Sequence, residues 1–592
     1  MLEKPNNLAR SFWPMTRLLA ILLMIAIVLS GCGESFLVSQ TPGPAASPTV
    51  STISNQLTNT APFATPQPDP SVATIPATVP GALTTFPATL TSTSAAPKKG
   101  GVMRLALTDE PDILDPARTV NGAANSINNL LYERLVYIDK DGLPKPWLAS
   151  SWEISPDSCT ISFTLRPNLK FQDSTPLNAV AVKTNFDRIL DPKAASPTRN
   201  FFGSLQSVST NGETQVIFNF KTPFASIFTN LSLAYGGIVS PTALAKYGDQ
   251  FGRHPVGSGP FIFKEWKTGQ EIDLIRNSNY HSYREDLENK GTAFLEEVDF
   301  LIIPAPATQI AALERGQLDM VTPLQTENVQ QVRGDSRFKL VELHNSSNLV
   351  LLDFSDKPPF NSLEFRQALS YAVDRKQIVK NGVEGFASAN QSPLPNGLAG
   401  WEGTLSGYGF DPEKARGILK NAGWKLNSKG VLEKDGVAAS FKLLSLAGSS
   451  SIKRTSEIIQ ANLKEVGIEI TIQNLELSAG IPLLAKGNFD MAIFSLGWPD
   501  PSFLSLLYKS NSSLVKRGGD SELDSLLDKV DTTLDIAARL DYVREAQKLI
   551  IEKAKVVPLY SPWTLIAFQN RVQDTKLDGL ALPLYNDVWF KD

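Results

Sequence analysis

The stretch Asp490-Met-Ala-Ile-Phe-Ser-Leu-Gly-Trp-Pro-Asp-Pro-Ser-Phe503 decides the architecture of this chain. It opens with an apolar run from Met491 to Leu496, broken only by Ser495. The run is long enough for a buried strand and too short for a core helix. Gly497 and Pro499 then stop the ladder, and Trp498, Asp500 and Phe503 follow on a loop. A strand that ends by delivering an aromatic ring and a carboxylate is how an α/β protein builds a ligand site at the carboxyl edge of its sheet. The same residues also suit a tight turn with a structural Trp and a turn-forming Asp-Pro, and the stretch alone does not separate the two.

Working outward, the neighbouring segments alternate between helical and strand periods. Ser521–Thr532 and Asp535–Lys553 read as helices, and Val556–Tyr560 as a strand that returns to the first half of the molecule. Upstream, Ile468, Ile470 and Ile472 mark a strand preceded by a helix over Thr455–Val466. Asp411-Pro412-Glu413 starts a helix with an N-cap and a proline at the first position, and Gly423 stops it. Phe365, Ala368, Leu369, Ala372 and Val373 recur at helical spacing, so one amphipathic helix is expected over Leu363–Val379. Leu349–Phe354 is a strand. In the first half, Gly101–Thr108 and Val298–Ile303 read as strands, and Ser126–Val136 and Ala307–Arg315 as helices. Ile161, Phe163 and Leu165, like Val216, Phe218 and Phe220, alternate as half-buried antiparallel strands, with a helix over Ala179–Leu190 between them. The pattern predicts two α/β lobes, the chain crossing near 345–352 and returning near 553–562.

The full chain has 592 residues, is 42% hydrophobic and 20% charged, and carries a net charge of −4. It has no basic stripe, so no nucleic-acid partner is expected. Residues 1–31 read as a lipoprotein signal peptide. Arg10 and Arg17 precede the apolar run Leu18–Leu29, which is shorter than the ~20 residues of a membrane span. Leu29-Ser30-Gly31-Cys32 has the form of a lipobox, with Cys32 as the lipidation site. Residues 32–97 are rich in Thr, Ser, Ala and Pro and read as a disordered linker. Cys159 is the only other cysteine, so the exported part holds no disulfide if Cys32 is lipidated.

Several chemistries are missing. The three histidines, His254, His281 and His344, lie far apart, and no HExxH, CxxC or carboxylate loop appears, so no protein-built metal site and no cofactor is expected. Adjacent carboxylates such as Glu296-Glu297 point to opposite faces of a strand. Val256-Gly257-Ser258-Gly259-Pro260 lacks the Lys-Ser/Thr of a phosphate loop and enters a strand. There is no GxSxG elbow. Nothing argues for an enzyme.

Six motifs in order resemble one family, the extracytoplasmic solute-binding proteins of ABC importers for peptides, dipeptides and nickel. Pro146-Trp147-Leu148-Ala149-Ser150-Ser151-Trp152-Glu153 resembles its P-x-L-A-x-S-W-E segment. Phe163-Thr164-Leu165-Arg166 and Lys170-Phe171-Gln172-Asp173 resemble F-x-L-R and K-F-H-D-G, and Val256–Phe261 resembles V-G-T-G-P-Y. Phe365–Arg375 resembles V-R-Q-A-L-x-Y-A-I-D-R, and Ala461–Ile468 resembles A-N-L-x-x-I-G-I. The resemblance runs from about 100 to 585. It implies a two-lobed periplasmic-binding-protein-like α/β fold with a hinge and an extra subdomain on the first lobe. The expected division is lobe I over 98–345 and 556–592, with the extra subdomain at 146–252, and lobe II over 346–555.

The resemblance implies a non-catalytic, lipid-anchored receptor outside the cytoplasm. It would be a monomer that captures a small solute or peptide between its lobes and hands it to ABC permease subunits in the membrane. A surface sensor or adhesin on the same fold, and a secreted hydrolase, are the alternatives. The expected ligand-lining residues are Thr119 and Asn121 from the first lobe and Trp401, Trp498 and Asp500 from the second. Two places depart from the family pattern. Gln172-Asp173-Ser174 stands for His-Asp-Gly. Peptide-binding members usually carry Gly-Trp, two residues, an Asp that pairs with the peptide amine, and later Asp-Pro; here Gly497-Trp498 runs directly into Pro499-Asp500-Pro501. The natural alignment deletes the amine-binding Asp, and a compensating shift would instead bring Asp500 into the cleft. A buried ammonium without a carboxylate costs several kcal/mol, so the solute stays open between peptide and other classes.

Overall fold

The computed structural model describes residues 96–405, 407–446 and 449–591. The expected signal peptide, Cys32 and nearly all of the expected linker lie outside the described residues. Among the described residues no helix is long and apolar enough to cross a membrane.

The chain enters with β1 (Val102–Leu107) and α1 (Gly122–Leu131). An antiparallel insert follows, formed by β2 (Ala149–Ile154), β3 (Thr160–Leu165), helix α2 (Ala179–Leu190), β4 (Leu205–Asn211) and β5 (Gln215–Phe220), and it leads into the short α3 (Ile227–Ser232). The insert's strands run in the order β2-β3-β5-β4. Their inward residues, with Phe186 of α2, build an aromatic core around Phe163, Phe202 and Phe218. The chain then returns as β6 (Phe261–Lys267), β7 (Glu271–Arg276), β8 (Glu297–Ile302), β9 (Met320–Val321) and β10 (Phe338–Leu343).

The second half comprises β11 (Asn348–Phe354), α4 (Leu363–Ala372), β12 (Ala387–Ala389), α5 (Pro412–Asn421), β13 (Ser440–Leu446), α6 (Ser450–Glu465), β14 (Glu469–Leu475), β15 (Met491–Gly497), α7 (Ser521–Thr532), α8 (Ile536–Glu552) and β16 (Val556–Pro562). A last long strand, β17 (Thr564–Gln569), goes back to the first half. Two large sheets result. The first, seven-stranded, has the order β10-β17-β9-β1-β8-β7-β6; the second, six-stranded, has the order β12-β16-β11-β15-β13-β14.

The opening stretch is the central strand β15, antiparallel to β11 and parallel to β13. Its continuous apolar run follows from having both faces covered. Met491 and Ile493 face the core beneath α4 and α6. Ala492 and Phe494 face the opposite core with α7 and α8.

Three expectations need correcting. The chain returns to the first sheet later than its pattern suggests: Val556–Pro562 pairs with β11 and β12 in the six-stranded sheet. The crossing falls at Trp563, and β17 is the strand that joins the first sheet. An apolar strand buried on both faces reads alike in either sheet, so its sequence could not assign it. The helix expected over Leu363–Val379 breaks at Val373, because the Asp374 side chain accepts from the backbone N–H groups of Lys376 and Gln377 and starts a new turn. The helix expected over Ser126–Val136 lies earlier, and Val136–Ile138 is a strand.

At the two crossings the His344 ring stacks on Trp563, with centroids 3.8 Å apart. Trp563 Nε1 donates to Ser388 Oγ at 2.8 Å. The Gly257-Ser258-Gly259 turn has a packing reason. It lies against the last carbonyls of α1, and a Cβ on Gly257 would sit 2.0 Å from the backbone oxygen of Leu131. Backbone cannot yield as a side-chain tip can. Gly257→Ala is therefore expected to destabilise the protein by about 1–3 kcal/mol in urea unfolding; a change below ~0.5 kcal/mol would contradict this packing.

Candidate functional site

The loop after β15 meets the insert, and its geometry starts at Gly497. That residue pairs with Asn348, and a Cβ there would fall 2.0 Å from Asn348 Oδ1. The next N–H, of Trp498, donates to the Ser347 carbonyl at 3.2 Å. The loop is thereby pinned beside the first crossing. The indole Nε1 of Trp498 donates to Ser502 Oγ at 3.1 Å, which fixes the ring. Its face lies over Phe201 at 5.7 Å and 15°. Phe201 lies over Tyr235 at 4.3 Å and 5°. A three-ring stack thus runs from the second half of the chain onto the first.

Asp500 sits behind this stack and is 1% exposed. Arg539 of α8 grips it with two parallel hydrogen bonds, Nη1 to Oδ2 at 3.0 Å and Nη2 to Oδ1 at 2.7 Å. The Ser502 N–H donates to Oδ1 at 2.8 Å. Two further donors come from across the lobe boundary: Ser226 Oγ to Oδ1 at 2.8 Å and Thr229 Oγ1 to Oδ2 at 2.9 Å. The Ala225 N–H reaches the Asp531 carbonyl at 2.8 Å. Leu534, in the turn between α7 and α8, is buried in the insert's own core. The lobes therefore meet along a seam with a buried ion pair at its centre.

Burial alone would raise the Asp500 pKa. The Arg539 charge and its hydrogen bonds, with those of Ser502, outweigh burial and hold the carboxyl well below the ordinary 3.8. Every strong acceptor direction of this carboxylate is filled by the protein, so it has none left for a ligand ammonium.

Of the expected lining residues, Trp498 and Asp500 come together at this seam. Thr119 and Asn121 are spent on local folding instead. Thr119, 1% exposed, donates Oγ1 to Asp112 Oδ1 at 2.6 Å and accepts from the Asn121 N–H at 3.0 Å. The Asn121 side chain caps α1 by accepting from the Ala124 N–H at 2.9 Å. Trp401 stays apart, half-exposed, with its Nε1 3.4 Å from Asn390 Oδ1.

Sequence reasoning missed Phe201, Tyr235, Ser226, Thr229 and Arg539, which lie on a short helix, turns and a helix face with no motif around them. It also missed a set of asparagines. Asn125 Oδ1, both polar atoms of Asn128, and Asn230 Oδ1 are buried without a hydrogen-bond partner. Asn125 lies beside the Tyr235 hydroxyl and Asn230 donates to the Phe201 carbonyl, so two of the three adjoin the ring stack. Buried polar atoms are almost always satisfied, and exceptions mark places where water or a ligand completes the bonding. The usable signal was the cluster Asn125, Asn128, Asn129 inside α1, since asparagine is a poor helix former.

Because the folded pKa of Asp500 is depressed, its contribution is complete above the ordinary aspartate range and is lost as pH falls below it. Asp500→Asn leaves Arg539 buried and unpaired. It is expected to cost about 3–5 kcal/mol at pH 7 and to flatten the acid limb of the stability profile. Urea unfolding at pH 7 and pH 3 checks both; equal losses for wild type and variant on acidification would contradict the assignment.

The sequence matches the profile of the bacterial extracellular solute-binding proteins, family 5, over residues 144–514. It is 26% identical over 495 residues to the probable D,D-dipeptide-binding periplasmic protein DdpA of Escherichia coli, covering 81% of this chain and 92% of that one. It is 27% identical over 483 residues to heme-binding protein A of Haemophilus influenzae, covering 75% and 84%. The fold matches NikA of Brucella suis, solved with Fe(III)-EDTA, at a TM-score of 0.73 and 24% identity, over 83% of this chain and all of that one.

Proposed function

Since the chain belongs to the bacterial extracellular solute-binding proteins of family 5, we propose that it is the solute-capturing receptor of an ABC importer, tethered outside the cytoplasm by a lipid on Cys32. The single observation that carries the reading is the seam between the lobes, where aromatic faces, unpartnered amides and a fixed ion pair converge. In this reading the site binds and releases its solute, as the relatives' names as binding proteins suggest. The permease receives the closed form.

Within this reading the solute lies against Trp498, Phe201 and Tyr235, and the amides of Asn125 and Asn230 supply its polar contacts. Aromatic faces suit planar or apolar groups. Asp500 serves as the latch that joins the lobes and not as an amine anchor. The relatives named for a D,D-dipeptide and for heme span very different chemistries, so family membership leaves the solute class open. The spent Asp500 favours solutes whose recognition does not depend on a buried ammonium.

A thermal-shift screen of the protein with dipeptides, longer peptides, heme and metal chelates tests the reading. A true solute raises the melting temperature by mass action. For that solute, Trp498→Ala and Phe201→Ala are each expected to weaken binding at least tenfold, about 1.4 kcal/mol, in isothermal titration. Unchanged affinity in both variants would place the solute elsewhere.

A further inference from the structure

The outward face of the seven-stranded sheet carries a row of charges that the solute reading does not use. Arg104, Asp299, Asp273 and Glu265 stand directly opposite one another on β1, β8, β7 and β6. Glu297 and Glu271 stand two residues along on β8 and β7. Asp273 and Asp299 are thus a cross-strand pair of like charge, an arrangement that destabilises a sheet.

The bases nearby do not relieve it. Lys264 is engaged by Glu297. Lys267 holds Glu271 at 2.6 Å and stands 3.4 Å from Glu265 and 3.7 Å from Asp273. Arg104 reaches Asp299 only at 4.0 Å. Five carboxylates face three cations, leaving two negative charges in excess.

Two atoms in this row lack any partner. Asp273 is 4% exposed, yet its Oδ1 is buried without a hydrogen bond, and Asp299 Oδ1 is likewise buried and unpartnered. One oxygen from each of Asp273, Glu297 and Asp299 lies within 4.8 Å of the other two. Calcium binds oxygens at about 2.3–2.6 Å, so ligands on opposite sides stand about 4.6–5.2 Å apart; magnesium, at about 2.0–2.1 Å, needs about 4.2 Å or less. The charge excess calls for a divalent cation, and separations of up to 4.8 Å leave room for one of calcium size.

We infer that Asp273, Glu297 and Asp299 form a binding site for a hard divalent cation of calcium size, with water completing the coordination. The ion takes the two orphaned oxygens as ligands and cancels the excess charge. Lys264, 41% exposed on its side chain, swings into solvent as Glu297 turns to the ion. Burial first, then the charges of Asp273 and Glu297, raise the Asp299 carboxyl to about 6.

The test is calcium titration of the chelator-treated protein at pH 7.5, by isothermal titration and by thermal shift, with magnesium and sodium chloride at matched ionic strength as controls. The expected result is saturable binding of one calcium with a rise in melting temperature that magnesium does not reproduce. Asp273→Asn is expected to weaken calcium binding at least tenfold, while its own calcium-free melting temperature rises because the like-charge pair is gone. Glu297→Gln, at the more accessible ligand, serves as a second variant if the first fails to fold and is expected to weaken binding similarly. Absence of a calcium-specific shift overturns the proposal, and so does an equal shift in a folded variant. Neither outcome bears on the solute site, which lies at the lobe seam.

Discussion

The buried pair of Asp500 and Arg539 is the constraint on which the lobe arrangement depends. Two charges taken out of water must be matched and hydrogen-bonded almost completely, or the cost exceeds the gain. Here the second lobe supplies both charges and one backbone donor, and the first lobe supplies the remaining two hydroxyls, from Ser226 and Thr229. The pair is fully satisfied only when the lobes are together. An interaction internal to one lobe is thus completed by hydroxyls of the other.

The rest of the seam follows from the same placement. Trp498 leaves β15 two residues before Asp500, so fixing the carboxylate fixes the ring that lies over Phe201. Leu534 and the Ala225 to Asp531 hydrogen bond close the outer end, where α7 and α8 turn against the insert. At the inner end, His344 on Trp563 holds the two crossings side by side. The insert therefore does more than enlarge the first lobe, because it presents α3 and the Phe201 ring to the second.

Much of this fold was legible in the sequence, for identifiable reasons. β15 announced itself because a strand covered on both faces must be apolar throughout, and α2 and α7 fell where their helical periods placed them. The return crossing was not legible, since Val556–Pro562 is equally apolar in either sheet and only its partners decide. The candidate site was legible in part. Trp498 and Asp500 stood out by following a strand end, but nothing local to Asp500 reveals a guanidinium 39 residues later in the chain. Thr119 and Asn121 serve a turn and a helix cap, and a cap and a ligand-binding loop use the same residue types. The carboxylate row was invisible for a different reason: Asp273 and Asp299 are brought opposite each other only by strand pairing.

If the pair at Asp500 joins the lobes, removing its charge must let them part. Small-angle scattering of the solute-free protein measures this directly. Asp500→Asn is expected to have a larger radius of gyration than wild type while retaining its secondary structure by circular dichroism. A folded variant with an unchanged radius of gyration would contradict it.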